Sequence, residues 1–241
     1  MKALWRWLLL TLAAVLALQL YFVARIAVMA RLDPQSTAFQ RSEAWRLARA
    51  HAPWRWRQQW VPYGAISNSL KQAVVASEDD GFANHDGVDW DALEKAWQKN
   101  ARAQARAARI QTPASARAAK VVGGSTITQQ LAKNLFLSGE RTMLRKGQEL
   151  VLTLLLETLL GKQRILEIYL NNVEWGEGVF GAEAAAQRYF GKSASRVNSL
   201  ESARLAVMLP RPKYFEKLPG SSYLAERSAV IANRLGGAAV P

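Results

Sequence analysis

Residues Gly123–Glu149 read GGSTITQQLAKNLFLSGERTMLRKGQE: two glycines and a run of hydroxyls and amides, closing on Arg145, Lys146 and Glu149. Thr126 followed three residues later by Gln129 has the spacing of a capping box, so a helix is predicted to start near Ser125. A helix N-terminus presents free N–H groups and a positive dipole end, which suit an anion such as phosphate. Lys133, Arg145 and Lys146 add full positive charges, and a helix over Arg145–Glu149 would put Arg145 and Glu149 on one face at i, i+4. The same residues also describe an ordinary capped helix, a loop at Leu137–Glu140 and a solvated basic face. Spacing by itself leaves both readings open.

Beyond this stretch, Leu150–Leu160 (LVLTLLLETLL) is too short to span a bilayer and carries Glu157, so it is expected to be a central core helix. KQRILEIYLNN after Gly161, GVFGAEAAAQRYFG and SLESARLAVML are expected to be further helices, the last stopped by Pro210 and Pro212. Before it, a helical pattern from Ser69 runs into Ser77-Glu78-Asp79-Asp80-Gly81-Phe82-Ala83-Asn84-His85-Asp86-Gly87-Val88-Asp89. A carboxylate at the end of an apolar helix can be buried enough to act as a base, although acidic residues decorating a loop look the same. Trp90–Lys99 is another predicted helix, leading into an Ala/Arg tract with little apolar stripe, read as a mobile basic flap over about 99–121. No segment alternates with period two, so the fold is predicted to be mainly α.

The 241 residues suffice for one sizeable domain plus an appendage, and 32 Lys+Arg against 19 Asp+Glu give a formal charge of +13. That charge favours a polyanionic partner: nucleic acid, an anionic membrane or a phosphorylated substrate. The absence of cysteine excludes disulfides, thiolate zinc sites and a Cys nucleophile, and two histidines, His51 and His85, exclude a multi-histidine metal site.

Trp7–Ala30 (WLLLTLAAVLALQLYFVARIAVMA) is almost wholly apolar and long enough to span a bilayer, with Trp5, Trp7, Tyr21 and Phe22 placed as interfacial aromatics. An uncleaved anchor fits it better than a signal peptide, because Arg31-Leu32-Asp33-Pro34 does not resemble a cleavage site. The division expected is a tail at 1–6, an anchor at 7–30, a connector at 31–63 and a soluble domain at 64–241. Orientation stays open, since Lys2 and Arg6 precede the span while Arg25, Arg31, Arg41, Arg46 and Arg49 follow it. In the connector, WRWRQQW interleaves Trp54, Trp56 and Trp60 with Arg55 and Arg57. Packing on the domain or lying in the membrane interface is favoured there over stacking on nucleic-acid bases.

Five motifs in order, SEDDGFANHDGVD, GGSTITQQLAKN, RKGQE, RILEIYLN and AVMLPRPKYF, resemble those of the peptidoglycan glycosyltransferases, glycosyltransferase family 51. The resemblance runs from about Ser67 to Phe215, with Gly81 and Ala83 in variable positions of the first motif. It is nearest to the monofunctional members, with no penicillin-binding transpeptidase domain expected after Pro241. It implies an all-α, lysozyme-like fold with a head lobe and a membrane-facing jaw lobe behind one transmembrane helix. It also implies a substrate, lipid II, which joins the growing glycan strand with inversion and loss of undecaprenyl diphosphate. A single-pass inner-membrane protein with a periplasmic catalytic domain follows, and nucleic acid drops out as a partner.

Within that resemblance Glu78 matches the catalytic base. Lys133, Arg145 and Lys146 match contacts to the donor diphosphate, and Ser125, Thr126, Gln130 and Asn134 shape the donor cleft. Glu149 matches a second essential glutamate with three open roles: orienting Arg145 and Lys146, holding a divalent cation, or stabilising the acceptor. No other cofactor or metal is implied. Asp79, Phe82 and His85 are expected to support the Glu78 loop, and Arg164, Glu167 and Asn171 to buttress the cleft. Partner proteins of cell-wall synthesis or division are an open expectation. The competing classes are a lysozyme-like glycan hydrolase, which has no pyrophosphate to neutralise, and a non-catalytic membrane-anchored scaffold.

Overall fold

The computed structural model describes residues 1–50, 56–109, 124–140 and 142–241, with the side chains of 100 and 104–109 outside that description. Helix α1 (Lys2–Met29) has 28 residues, about 42 Å at 1.5 Å per residue, against a hydrocarbon core of about 30 Å. The surplus docks on the domain: Phe22, Ile26 and Met29, at i, i+4 and i+7, are buried in the main core. Phe22 meets Phe136 edge-on at 5.4 Å. Of the four aromatics expected at the membrane interface, Trp5, Trp7 and Tyr21 are exposed, but Phe22 is a core residue because its turn of α1 already lies against the domain.

The connector contains α2 (Ala38–Arg49), closed at its start by a capping box between Thr37 and Gln40. Its inward face is Gln40, Glu43 and Leu47, two of them polar, so hydrophobic periodicity could not reveal it. Next come β1 (Arg57–Gln58) and α3 (Asn68–Glu78), whose start is capped by the Ser67 hydroxyl accepting from Leu70 N–H. The 20-residue α4 (Trp90–Arg109) carries the first part of the expected basic flap as continuous helix, and the rest of the flap lies outside the described residues. Trp54 and Arg55 do as well. Trp56 stacks near Phe180 at 4.6 Å and the Arg164 guanidinium lies 5.5 Å from the Trp60 ring, so these two tryptophans pack on the domain.

Helix α5 (Ile127–Phe136) leads to α6 (Met143–Leu159) and α7 (Lys162–Asn172). The expected core helix at Leu150–Leu160 is apolar on both sides but buried on one: Leu152 and Leu156 are inside, while Leu150, Val151 and Leu154 are exposed. α6 packs against α1, where the side-chain amides of Gln19 and Gln148 exchange hydrogen bonds at 3.1 and 3.3 Å. An outward leucine face beside a membrane anchor suits lipid better than water.

GVFGAEAAAQRYFG, expected as one helix, divides at Gly181 into β3 (Val179–Phe180) and α8 (Ala182–Phe190). Gly181 has φ +86°, and a Cβ there would stand 2.7 Å from the Asn171 carbonyl oxygen, so only glycine allows the break. β2 (Glu174–Gly176) pairs antiparallel with β3, and β1 pairs parallel on its other edge. Strands of two or three residues are too short to alternate visibly, hence the mainly-α expectation meets one small sheet. Helices α9 (Ser199–Met208), α10 (Pro212–Phe215) and α11 (Ser222–Ala232) complete the chain. α3, α9 and α11 pack together, and α5 packs on α2, α6 and α7, with the Trp175 indole N–H donating to the Leu205 carbonyl between the groups.

Candidate functional site

Glu78 is the last residue of α3, because Asp79 (φ −163°) leaves the helix to serve a different element. Asp79 accepts from the Ile127 N–H at the start of α5 (2.9 Å) and from His85 Nε2 (2.9 Å). His85 Nδ1 accepts from the Gly87 N–H (3.1 Å), a pattern that places the ring proton on Nε2. Phe82 is fully buried with the Lys162 ammonium 4.6 Å from its ring centroid, and the same ammonium donates to the His85 carbonyl. The loop after Glu78 is thus pinned by Asp79, Phe82 and His85, and the carboxylate before it is held at the mouth of the domain.

Among the described residues the Glu78 carboxylate receives one hydrogen bond, from Gln130 Nε2 at 2.9 Å. The Gln130 carbonyl oxygen in turn accepts from the Tyr169 hydroxyl at 3.0 Å. Burial pushes Glu78 above the usual carboxylate range; the Gln130 hydrogen bond opposes this, Asp79 adds to it, and Lys133 opposes it. Its position at the negative end of α3 acts in the same upward direction. A carboxylate held partly out of water, with a single neutral donor, is suited to take a proton.

A cleft of about 330 Å³ opens beside it, between α5 and the start of α6, lined by Ser125, Gln130, Lys133, Asn134, Arg145 and Lys146, with Glu149 at its wall. Glu149, 4% exposed, accepts from Arg145 Nη1 at 2.7 Å and from the Lys146 ammonium. Both of its oxygens are thus engaged by these two cations. The Arg145 Nε–H is buried without a partner, an unused donor on a cation facing a cleft. Lys133 lines the cleft, and desolvation pulls its ammonium below the usual lysine range, against the attraction of Glu149. These groups are what an incoming polyanion would satisfy.

A second cleft of about 370 Å³ contains Glu78, Asp80, Asp89, Lys95, Lys99 and Arg234. Ser125 lines both clefts, so they meet at the start of α5. A larger cavity, about 660 Å³ around Trp56, Arg57, Glu177 and Arg188, holds none of the motif residues.

Thr126, expected to shape the cleft, sits in its wall. It is 3% exposed, and its hydroxyl donates to the Gly87 carbonyl while accepting from the Gln129 N–H, so it builds the wall of the cleft. Arg164, Glu167 and Asn171 line neither cleft and instead hold the connector. Arg164 donates to Glu167, to Asp33 and to the Met29 carbonyl. Glu167 accepts from the Tyr63 N–H, and Asn171 bridges the N–H and carbonyl of Val61. Two residues that bear on the site, Tyr169 behind Gln130 and Phe39 in the cleft wall, escaped the sequence reading. Tyr169 had a signal, since a tyrosine on the buried face of a helix needs a hydroxyl partner. Phe39 of α2, which lines the cationic cleft, had none in a polar connector. Among the described residues no group of three metal-ligating side chains converges.

A family model described as transglycosylase matches residues 47–236. A protein of Burkholderia thailandensis named biosynthetic peptidoglycan transglycosylase is 57% identical over 226 residues, 94% of this chain and 83% of the relative. Proteins of the same name from Burkholderia orbicola and Burkholderia pseudomallei are 54% and 55% identical over the same share of this chain, covering 86% and 83% of their own lengths.

Proposed function

The chain belongs to the transglycosylase family, and from that premise we propose that the two clefts meeting at Ser125 are the donor and acceptor halves of one glycosyl-transfer site. The protein is a membrane-anchored peptidoglycan glycosyltransferase of lysozyme-like fold that polymerises lipid II into glycan strands. The observation that carries the assignment of roles is the pairing of a desolvated carboxylate, with Gln130 as its neutral donor, and a cationic cleft next to it.

In this reading Glu78 takes the proton of the acceptor 4-hydroxyl as its oxygen forms a bond to the donor's anomeric carbon. The bond from that carbon to the phosphate oxygen breaks, the configuration inverts, and undecaprenyl diphosphate leaves with its electron pair. Arg145, Lys146 and Lys133 neutralise the charge that develops on the leaving group, and Glu149 keeps the first two aligned. No step is routed through a metal. The donor lies in the cleft with Lys133 and Asn134, the acceptor in the cleft with Lys95 and Lys99.

Localisation follows from the substrate: the anchor sits in the inner membrane with residues 1–6 cytoplasmic and the catalytic domain on the periplasmic face, where lipid II is displayed. Proteins of wall synthesis or division are proposed as its neighbours there. Incubation of the full-length protein with labelled lipid II, and separately with purified sacculi, tests the function. Glycan polymer from lipid II with intact sacculi is the expected result. Solubilised sacculi would return the hydrolase reading, and inertness of the folded protein toward both would return the scaffold.

A further inference from the structure

We infer that Tyr169 is a positioning residue for the reaction: its buried hydroxyl locks the Gln130 amide in the one orientation that donates a hydrogen bond to Glu78. The inference rests on the assignment of Glu78 as base and adds a device that sets when that base is available.

The chain of contacts has a fixed direction. Tyr169, 1% exposed on the inner face of α7, donates to Gln130 Oε1 (3.0 Å), and Gln130 Nε2 donates to Glu78 Oε2 (2.9 Å). A glutamine side chain has nearly the same shape either way round, and nothing in its sterics keeps the NH₂ group toward a carboxylate. The tyrosine hydroxyl supplies that preference. Were the amide to turn over, its oxygen would face the carboxylate, and the buried tyrosine O–H would lose its acceptor, a loss that a buried donor cannot recover from water. The donor persists at any working pH, because burial, helped by Glu78 and Asp79, keeps the phenol protonated.

Among the described residues this amide is the only hydrogen-bond donor to the Glu78 carboxylate. Asp79 and Asp80 stand on its own loop, and Asp79 is committed to Ile127 and His85 while Asp80 lies 3.6 Å from Arg234. Lys133 acts from α5 without a hydrogen bond, and Asp89, Lys95 and Lys99 stand across the acceptor cleft. Removing the orientation of Gln130 therefore removes the specific stabilisation of the ionised base while leaving burial in place, and the acid limb of catalysis moves to higher pH.

The test is Tyr169→Phe in the full-length protein, which keeps the ring and its packing. The acid limb of the kcat profile with lipid II is expected to rise by ~1 pH unit, with kcat one unit below the wild-type limb falling roughly tenfold and KM little changed. Gln130→Leu is expected to move the limb the same way, and the double variant no further. A purely structural role for Tyr169 would lower the melting temperature and kcat at all pH values without moving the limb, and that result overturns the inference. A substrate-free readout separates it from the functional reading: ¹³C-carboxyl glutamate NMR, assigned with Glu78→Gln, follows the Glu78 titration directly. An upward shift of that titration in a protein that does not polymerise lipid II would sink the function and keep the positioning. An unmoved titration sinks the positioning whatever the activity. Should Tyr169→Phe not fold, Gln130→Leu alone must raise the Glu78 titration, or the inference fails.

Discussion

Glu78 and Glu149 stand on either side of α5, and their surroundings are opposite. Glu78 ends a helix, has one neutral amide as a donor and is pushed up chiefly by burial. Glu149 lies in the second turn of α6 with an arginine and a lysine on its two oxygens. The first arrangement leaves a carboxylate able to accept a proton, and the second uses one to hold cations in place. In the proposed reading the two glutamates, in neighbouring clefts, divide the labour: one serves the attacking hydroxyl, the other the departing diphosphate.

The largest effect expected comes from Glu78→Gln, which keeps the Gln130 contact but removes the proton acceptor. Polymerisation of labelled lipid II should fall by about 10²–10⁴-fold with the fold intact by thermal melting. Near wild-type turnover would end the comparison, since Glu78 would then not be the base. Glu149→Gln should act differently. It frees Arg145 and Lys146 from two charge-assisted hydrogen bonds, so affinity for a non-reacting lipid diphosphate should drop roughly 10- to 100-fold. The acid limb of the pH profile should stay in place, and a moved limb would show that Glu149 shares the base's role.

How much of this was readable in advance depended on which interactions are local. The Thr126–Gln129 capping box, the i, i+4 pair of Arg145 and Glu149, and the end of α3 at Glu78 are short-range features, and spacing exposes them. α2 was hidden because two of the three residues on its buried face are polar, Gln40 bonding to Asn172 and Glu43 pairing with Lys213, which leaves no apolar stripe. The outward leucines of α6 read as core because composition cannot tell a lipid-facing side from a protein-facing one. Phe39 and Tyr169 reach the site from elements 86 or more residues before and 39 residues after Gln130 and Ser125's helix start only through tertiary packing, and a side chain's destination is not written in its own segment.

A third buried glutamate sharpens the contrast. Glu174 of β2 is pushed up to about 7, by burial first and then by Glu43 and Glu216, against the pull of Lys213 at 3.2 Å. It lines neither cleft, so a raised carboxyl by itself does not mark a base. Its native proton affinity exceeds the unfolded value of 4.5, so the native state binds more protons between those values and stability falls as pH rises through that window. Glu174→Gln should abolish the fall, leaving the variant roughly 1–3 kcal/mol more stable than wild type at pH 8 and equal to it near pH 4, by denaturant unfolding. Lipid II polymerisation should be unchanged. A loss of activity comparable to that of Glu78→Gln would mean that burial, not placement beside the cationic cleft, is what the two share.

The smallest effect concerns what holds Glu149 itself. Gln148 precedes it on α6 and bonds to Gln19 of the anchor, two amides paired where α1 meets the domain. In an apolar setting neither amide has water as an alternative, and paired polar side chains of this kind contribute about 0.6 kcal/mol on average. Gln19→Leu and Gln148→Leu should each weaken the docking of α1 on α6 by about that amount, and the double variant should cost no more than either single, by a double-mutant cycle on unfolding. Because α6 is also held by Leu152 and Leu156 in the core, Arg145 and Glu149 should stay aligned and lipid diphosphate affinity should change by less than about 3-fold, in line with that energy. A larger loss would show that the cationic half, unlike the Glu78 half braced by Asp79 and His85, takes its geometry from the membrane anchor.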